Sequence, residues 1–243
     1  MFGAGGGTSS YEETRAADLI LLWGSNAREA HPIFFHHVLK AVHAGAQLVV
    51  VDPRRTPSAQ WADLWLGIDV GTDIPLANAV GREIIVAGLH DEEFIARATT
   101  GFDAYRESVE PWTLEETERV TGVPADAISE LAHAYGGATH AQLCWTLGIT
   151  EHHNAVDNVF ALINLALLTG KVGKWGSGLQ PLRGQNNVQG GGDMGAIPNK
   201  LPGFQDLGDD AVRAKLERAT SSAVSSTRRA SSLWRSSSFV STA

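Results

Sequence analysis

Apolar runs bounded by glycine and asparagine alternate along this chain with stretches whose apolar residues recur at helical spacing. Leu19-Ile20-Leu21-Leu22-Trp23 is a continuous apolar run stopped by Gly24-Ser25-Asn26, the pattern of a strand buried on both faces and followed by a loop. From His31 to Ala44, residues Phe34, Phe35, Val38, Leu39 and Val42 fall near helical spacing, with Pro32 suited to a first turn and Gly45 to the stop. Gln47-Leu48-Val49-Val50-Val51 follows as a β-branched strand tipped by Asp52-Pro53-Arg54-Arg55. Strand, helix and strand in so short a stretch predict a parallel βαβ unit.

The alternation continues with a short strand near Trp65-Leu66-Gly67-Ile68, then Gly71-Thr72-Asp73 and a helix from about Ile74 to Ala87. Residues 91–135 read as helical, broken at Gly101, Pro111 and Gly122, with Thr113-Leu114-Glu115-Glu116 as a reciprocal capping box. Gln142-Leu143-Cys144-Trp145 is a further strand, followed by a helix from about Asn154 to Leu168. Residues 170–204 hold ten glycines and three prolines, and the pattern there is that of a loop, ordered if it binds something and a linker if it does not. From Thr220 to Ala243 there are ten serines, three arginines and no acidic residue, a composition expected to stay disordered. The fold class expected is α/β: a Rossmann-like parallel sheet with flanking helices, then a Gly-rich cofactor loop and a disordered tail. The expected divisions are 1–182, 183–215 and 216–243.

Charge and composition narrow the chemistry. Nineteen basic against 27 acidic residues leave a net charge of −8, which argues against phosphate-driven nucleic-acid binding. The single cysteine, Cys144, excludes a disulfide framework and any self-contained cysteine cluster, and fits a reducing, cytoplasmic setting. Its place between Leu143 and Trp145 is that of a buried structural thiol. No apolar run is long enough for a membrane-spanning helix, so no membrane insertion is expected, and the start of the chain lacks the pattern of a secretory signal.

Candidate chemistry gathers where strands would end. Gly24-Ser25-Asn26 offers backbone amides, Asp52 a carboxylate for hydroxyls or ring nitrogens, and Arg54 a charge for phosphates. Gly71-Thr72-Asp73 marks a third tip, where a carboxylate could pair with the N1–H and exocyclic amine of guanine. These residue types are common in ordinary turns, and three tips in one parallel unit bring a ligand at the carboxyl edge of the sheet level with that reading. There is no Gly-x-Gly-x-x-Gly before a helix and no Walker-type lysine, so a plain NAD module is poorly supported. Of Glu151-His152-His153, one histidine is expected to face a cavity, since neighbours on a helix point apart. Amides, glycines and one guanidinium crowd together from Arg183 to Gly195; Arg183 could clamp a small carboxylate.

Pro181-Leu182-Arg183-Gly184-Gln185-Asn186-Asn187-Val188-Gln189-Gly190, followed by Asp193-Met194-Gly195, resembles a motif of molybdopterin-dependent formate dehydrogenases of the dimethyl sulfoxide reductase superfamily. Trp23-Gly24-Ser25-Asn26 with His31-Pro32, Val51-Asp52-Pro53-Arg54, Gly71-Thr72-Asp73, the stretch Trp145 to Thr150, and Leu167-Leu168-Thr169-Gly170 match in the same order over roughly residues 1–215. The resemblance implies a bis(molybdopterin guanine dinucleotide) cofactor holding Mo or W. It maps one dinucleotide onto Gly24, Ser25, Asn26, Glu29, Asp52, Arg54, Gly71 and Asp73, with Leu147, Gly148, Thr150, Gly184 and Gln185 as further cofactor contacts. By the same resemblance Arg183 holds formate, which is oxidised to carbon dioxide, and electrons pass through an iron–sulfur cluster to electron-transfer subunits.

The departures are as informative. Subunits of the family are several times longer, and neither the cluster cysteines nor the cysteine or selenocysteine that ligates the metal has a counterpart here. The motifs fade near Arg218-Ala219, where the serine-rich stretch begins. The expectation is therefore a fragment of a formate dehydrogenase α subunit, inactive alone. Another molybdopterin oxidoreductase, or a non-catalytic pterin-binding chain, remains an alternative at this point.

Overall fold

A computed structural model of the chain describes residues 6–220. They divide after Gly184 into two units.

The first unit is built on a five-stranded parallel sheet of order β3-β2-β1-β4-β5. Its strands are β1 (Leu19–Trp23), β2 (Gln47–Val51), β3 (Leu64–Leu66), β4 (Ala141–Trp145) and β5 (Gly178–Pro181). In chain order the helices are α1 (Ala27–Ala30), α2 (Pro32–His43), α3 (Asp73–Val86), α4 (Glu92–Ala98), α5 (Phe102–Val109), α6 (Leu114–Thr121), α7 (Ala125–Gly137), α8 (Leu147–Thr150) and α9 (Ala155–Leu168). Parallel strands covered on both faces are apolar at every position, because alternate side chains enter different cores. Leu19, Leu21 and Trp23 of β1 join the core with α3, α7 and α9, while Ile20 and Leu22 join the other with Phe34, Phe35 and Val38 of α2. Each of these fully buried side chains contributes about 1.5–3 kcal/mol of transfer free energy.

β1 is central. Its neighbour β2 arrives by way of α2 on one face, and β4 arrives after the helices of the other. Connections therefore leave β1 and β4 in opposite directions, and a crevice opens at their carboxyl ends, the usual ligand position in an open α/β sheet. Just past the end of β5, the Leu182 N–H still donates to the Trp145 carbonyl at 2.9 Å. The chain leaves the sheet at Arg183, on the same edge.

The structure departs from the sequence reading in several places. β5 lies inside the glycine-rich segment that reads as loop; its Gly-Leu-Gln-Pro sequence lacks β-branched residues, and its ladder to β4 forms it. β3 starts at Leu64 and stops before Gly67. The capping box is half made. Thr113 Oγ1 accepts from Glu116 N at 3.2 Å, but the Glu116 carboxylate turns to Arg119, which donates from Nε at 2.9 Å and Nη2 at 2.5 Å. Glu118 supplies the neighbouring cap, accepting from Ala125 N at the start of α7.

The second unit holds a short helix α10 (Val188–Asp193), paired antiparallel segments β6 (Lys200–Leu201) and β7 (Gln205–Asp206), and α11 (Asp210–Thr220). α11 runs into the stretch from 216 whose expected state is unstructured, because Ala, Lys, Leu, Glu and Arg up to 219 are strong helix formers. The serine-rich remainder lies outside the described residues. Among the described residues no helix is long and apolar enough to cross a membrane.

Candidate functional site: a cleft at the strand tips

The loops after β1, β2, β3 and β4 enclose a cleft of about 350 Å³. Gly24 and Asn26 come from the first tip, Asp52 and Arg54 from the second, Gly71 and Asp73 from the third, and Thr146, Gly148 and His152 from the fourth. Such a volume falls within the range of small-ligand sites.

Gly24 and Gly148 close the floor. Gly24 has φ +58°, and its carbonyl accepts from Gly148 N at 3.2 Å and Thr146 Oγ1 at 2.9 Å. A Cβ on Gly148 would lie 2.5 Å from the Gly24 oxygen, so the two loops approach this closely only as glycines. Asn26 is fixed rather than free: Oδ1 accepts from Ser58 Oγ at 3.1 Å, and Nδ2 donates to Glu29 Oε2 at 2.5 Å. Glu29 thus acts on the cleft through Asn26. Ser25 is fully buried beneath the loop.

Two carboxylates give the cleft its electrostatic character. Asp52 closes an Asx turn, Oδ1 accepting from Arg54 N at 2.9 Å, while Trp65 Nε1 donates to the Asp52 carbonyl at 3.0 Å and steadies the tip. Burial pushes the Asp52 carboxyl above its ordinary pKa, against the pull of the Arg54 backbone bond and charge. Asp73 opens α3, and its Oδ1 accepts from Trp23 Nε1 at 2.8 Å. Burial raises its pKa as well; the Trp23 hydrogen bond and His152 oppose the rise, and Asp52 adds to it. Desolvated carboxylates at the rim of the cleft call for hydrogen-bond donors, and a planar base edge with sugar hydroxyls supplies them. The carboxylate acceptors and the glycine floor fit a nucleotide-bearing cofactor.

The remaining predicted residues fall elsewhere. Leu147 and Thr150 are exposed on α8, outside this cleft, with the Leu147 side chain 3.6 Å from where a Cβ on Gly184 would sit. The Arg183 carbonyl accepts from His31 Nε2 at 2.5 Å, which ties the end of β5 to the start of α2. Gln185 belongs to the second unit. Among the described residues no group of three or more His, Cys, Asp or Glu is placed to hold a metal.

Of the adjacent histidines, His152 faces the cleft, and its Nε2 donates to the Gly148 carbonyl at 2.8 Å. Sequence reasoning gives no role to Thr146 or to the supporting indole of Trp23. Thr146 lies within a matching motif without a chemical signal of its own, and Trp23 reads as one more apolar residue of β1.

The profile of the molybdopterin oxidoreductase family matches residues 4–235, running past Arg218-Ala219, where the recognisable motifs stop. The F420-dependent formate dehydrogenase 2 subunit alpha of Methanococcus maripaludis is 45% identical over 208 residues, covering 86% of this chain and 31% of that protein. Formate dehydrogenase H of Escherichia coli is 41% identical over 217 residues, covering 89% of this chain and 30% of that protein. The chain therefore spans about a third of the length of these relatives. Among solved structures, acetylene hydratase from Pelobacter acetylenicus superposes with a TM-score of 0.66 at 26% identity, over 73% of this chain and 24% of that one. A parallel sheet with a glycine-floored, carboxylate-rimmed cleft at its tips, and a family match over nearly the whole chain, lead to one conclusion: the chain belongs to the molybdopterin oxidoreductase family.

Proposed function

We propose that this chain is the cofactor-binding portion of a formate dehydrogenase α subunit. In this reading the cleft holds the guanosine end of one dinucleotide of a bis(molybdopterin guanine dinucleotide) cofactor with Mo or W. The observation that carries the proposal is the pairing of two desolvated carboxylates, Asp52 and Asp73, on one nucleotide-sized cleft at the carboxyl edge. Asp73 would accept from the N1–H and exocyclic amine of guanine, Asp52 from ribose hydroxyls, and Arg54 would neutralise phosphate. Gly24 and Gly148 let backbone amides approach, Ser25 and Glu29 support that loop, and Gly71 turns the chain into α3. Leu147, Thr150 and Gly184 are assigned as further contacts to the same cofactor.

When bound, the metal would supply the two-electron acceptor needed for formate to become carbon dioxide and a proton. Arg183 brings a guanidinium whose two-pronged geometry suits a carboxylate and orients formate for reaction. In this reading the metal's protein ligand and an exit iron–sulfur cluster are supplied by other parts of the full-length enzyme. Electron-transfer partner subunits are assigned to the full-length enzyme.

Purified chain tests the binding half of the proposal. Heat-released nucleotide identified as a guanosine phosphate, or saturable binding of added GDP, supports it; absence of both refutes it. The catalytic half predicts no formate-dependent dye reduction by the isolated chain. The likeness to acetylene hydratase supports a second reading, in which the same cofactor domain serves another substrate. Replacing Arg183 in the full-length form of this enzyme separates the two: under the first reading formate activity collapses with cofactor retained, and under the second there is no formate activity to lose.

A further inference from the structure

We infer that Trp23 is a positioning residue for the base-reading carboxylate of Asp73, its indole N–H fixing one carboxylate oxygen so that the ionised group meets guanine in a set orientation. The inference rests on the guanine reading of the cleft and goes one layer beneath it.

Trp23 ends the central strand and is completely buried, in the core shared with α3, α7 and α9. A buried indole N–H must find an acceptor, and this one finds Asp73 Oδ1, 50 residues along the chain, at 2.8 Å. Asp73 is not the cap of its helix. That position belongs to Thr72, whose hydroxyl instead donates to the Asp69 carbonyl at 2.7 Å. The Asp73 carboxylate is thus held from below by the strand while it borders the cleft above. A carboxylate hinged only at its own χ angles rotates freely. One oxygen pinned by a rigid, fully packed indole does not, and bidentate pairing needs that fixed plane.

The bond matters for charge as well as direction. Guanine offers two donors side by side, so only the ionised carboxylate can accept from both at once, whereas a protonated carboxyl presents a competing O–H on one oxygen. Burial favours the proton. The groups that bear on Asp73 are Trp23 from β1 and His152 from the segment between α8 and α9, which favour ionisation, and Asp52 from the tip of β2, which disfavours it. Removing the indole donor leaves burial and Asp52 opposed only by His152 and the backbone at the start of α3. The carboxyl then takes up its proton at a higher pH.

The experiment compares the wild-type 243-residue chain with Trp23→Phe and Asp73→Asn, titrating GDP, inosine diphosphate and ADP from about pH 4, near the ordinary carboxylate value, upward to about pH 8. Wild type is expected to prefer GDP over both analogues. Asp73→Asn loses the preference at every pH. Trp23→Phe keeps the preference near the top of the range with affinity reduced about three- to tenfold, the size of one ordinary net hydrogen bond. Its binding also fails at a higher pH than that of wild type. A wild type that does not distinguish GDP from ADP refutes the guanine site itself. A wild type that prefers GDP while Trp23→Phe matches it in affinity and pH profile overturns the positioning role alone. The wild-type protein gives an independent reading that does not depend on the Phe variant folding. An indole N–H resonance should shift with the same midpoint as GDP binding and lose that titration in Asp73→Asn; if no indole resonance follows the binding profile, the inference is wrong.

Discussion

Adding a single methyl group at Gly148 tests how the floor of the cleft is built. A Cβ there would sit 2.5 Å from the Gly24 oxygen, 2.7 Å from its Cα and 2.9 Å from its carbonyl carbon. All three are backbone atoms, so no rotamer change relieves the overlap; the β1 and β4 loops must separate. Overpacking of this kind costs about 1–3 kcal/mol. At the roughly 2–4 °C per kcal/mol typical of chains this size, the melting temperature of Gly148→Ala should fall by about 2–12 °C. Separation also lengthens the 3.2 Å bond from Gly148 N to Gly24 O and spreads the two tips that would hold a nucleotide, so GDP affinity should fall with stability. Gly137→Ala is the control. It lies at the exposed end of α7 with nothing within 4 Å of its Cβ, and it should gain up to about 1 kcal/mol from helix propensity. Thermal unfolding followed by circular dichroism, with GDP titration of each protein, reads both effects. If Gly148→Ala melts and binds like wild type, the close approach of the two loops is not what shapes the cleft.

Three further outcomes follow from buried titratable groups. Asp73 has a folded-state pKa raised by burial, so its contribution to stability is complete below the unfolded value and is lost as pH rises through the folded one. Asp73→Asn should therefore melt above wild type near neutral pH, the gap closing towards about pH 4, while guanine binding is lost. Lys171 is buried with Nζ donating to the Ala138 carbonyl past the end of α7, and burial pushes its pKa down to about 8 from 10.5. Between those values the unfolded chain binds more protons, so the stability of wild type relative to Lys171→Met should rise with pH from about 8 to 10.5; a flat difference in chemical denaturation would count against it. Cys144 is fully buried and burial pushes its thiol pKa up, so an aromatic disulfide reagent should react with it only after denaturant is added.

Much of the first unit is legible in local sequence because its elements obey short-range rules. The apolar runs of β1 and β2 and the spacing of Phe34, Phe35 and Val38 on α2 each report burial within a few residues of chain. Asp52, Arg54 and Asp73 are visible as candidates because strand tips in a parallel unit share one edge, and the structure brings all three to one cleft. The family motif around Arg183 is likewise confined to consecutive residues, so it is recognisable without knowing what those residues touch. β5 is silent by contrast. Gly178-Leu179-Gln180-Pro181 has no strand propensity of its own and becomes a strand by pairing with β4.

The sequence by itself determined the α/β class, the two central strands, the glycine and carboxylate chemistry at their tips, and the family to which those motifs belong. Each is written in contiguous residues, where propensity, periodicity and turn chemistry act. Tertiary structure alone decided that Gly148 touches Gly24, that His152 rather than His153 faces the cleft, that His31 holds the Arg183 carbonyl, and that Trp23 reaches Asp73. Those contacts join residues far apart in the chain. Their partners are chosen by sheet order and helix placement, which settle only when both faces of the sheet are covered together.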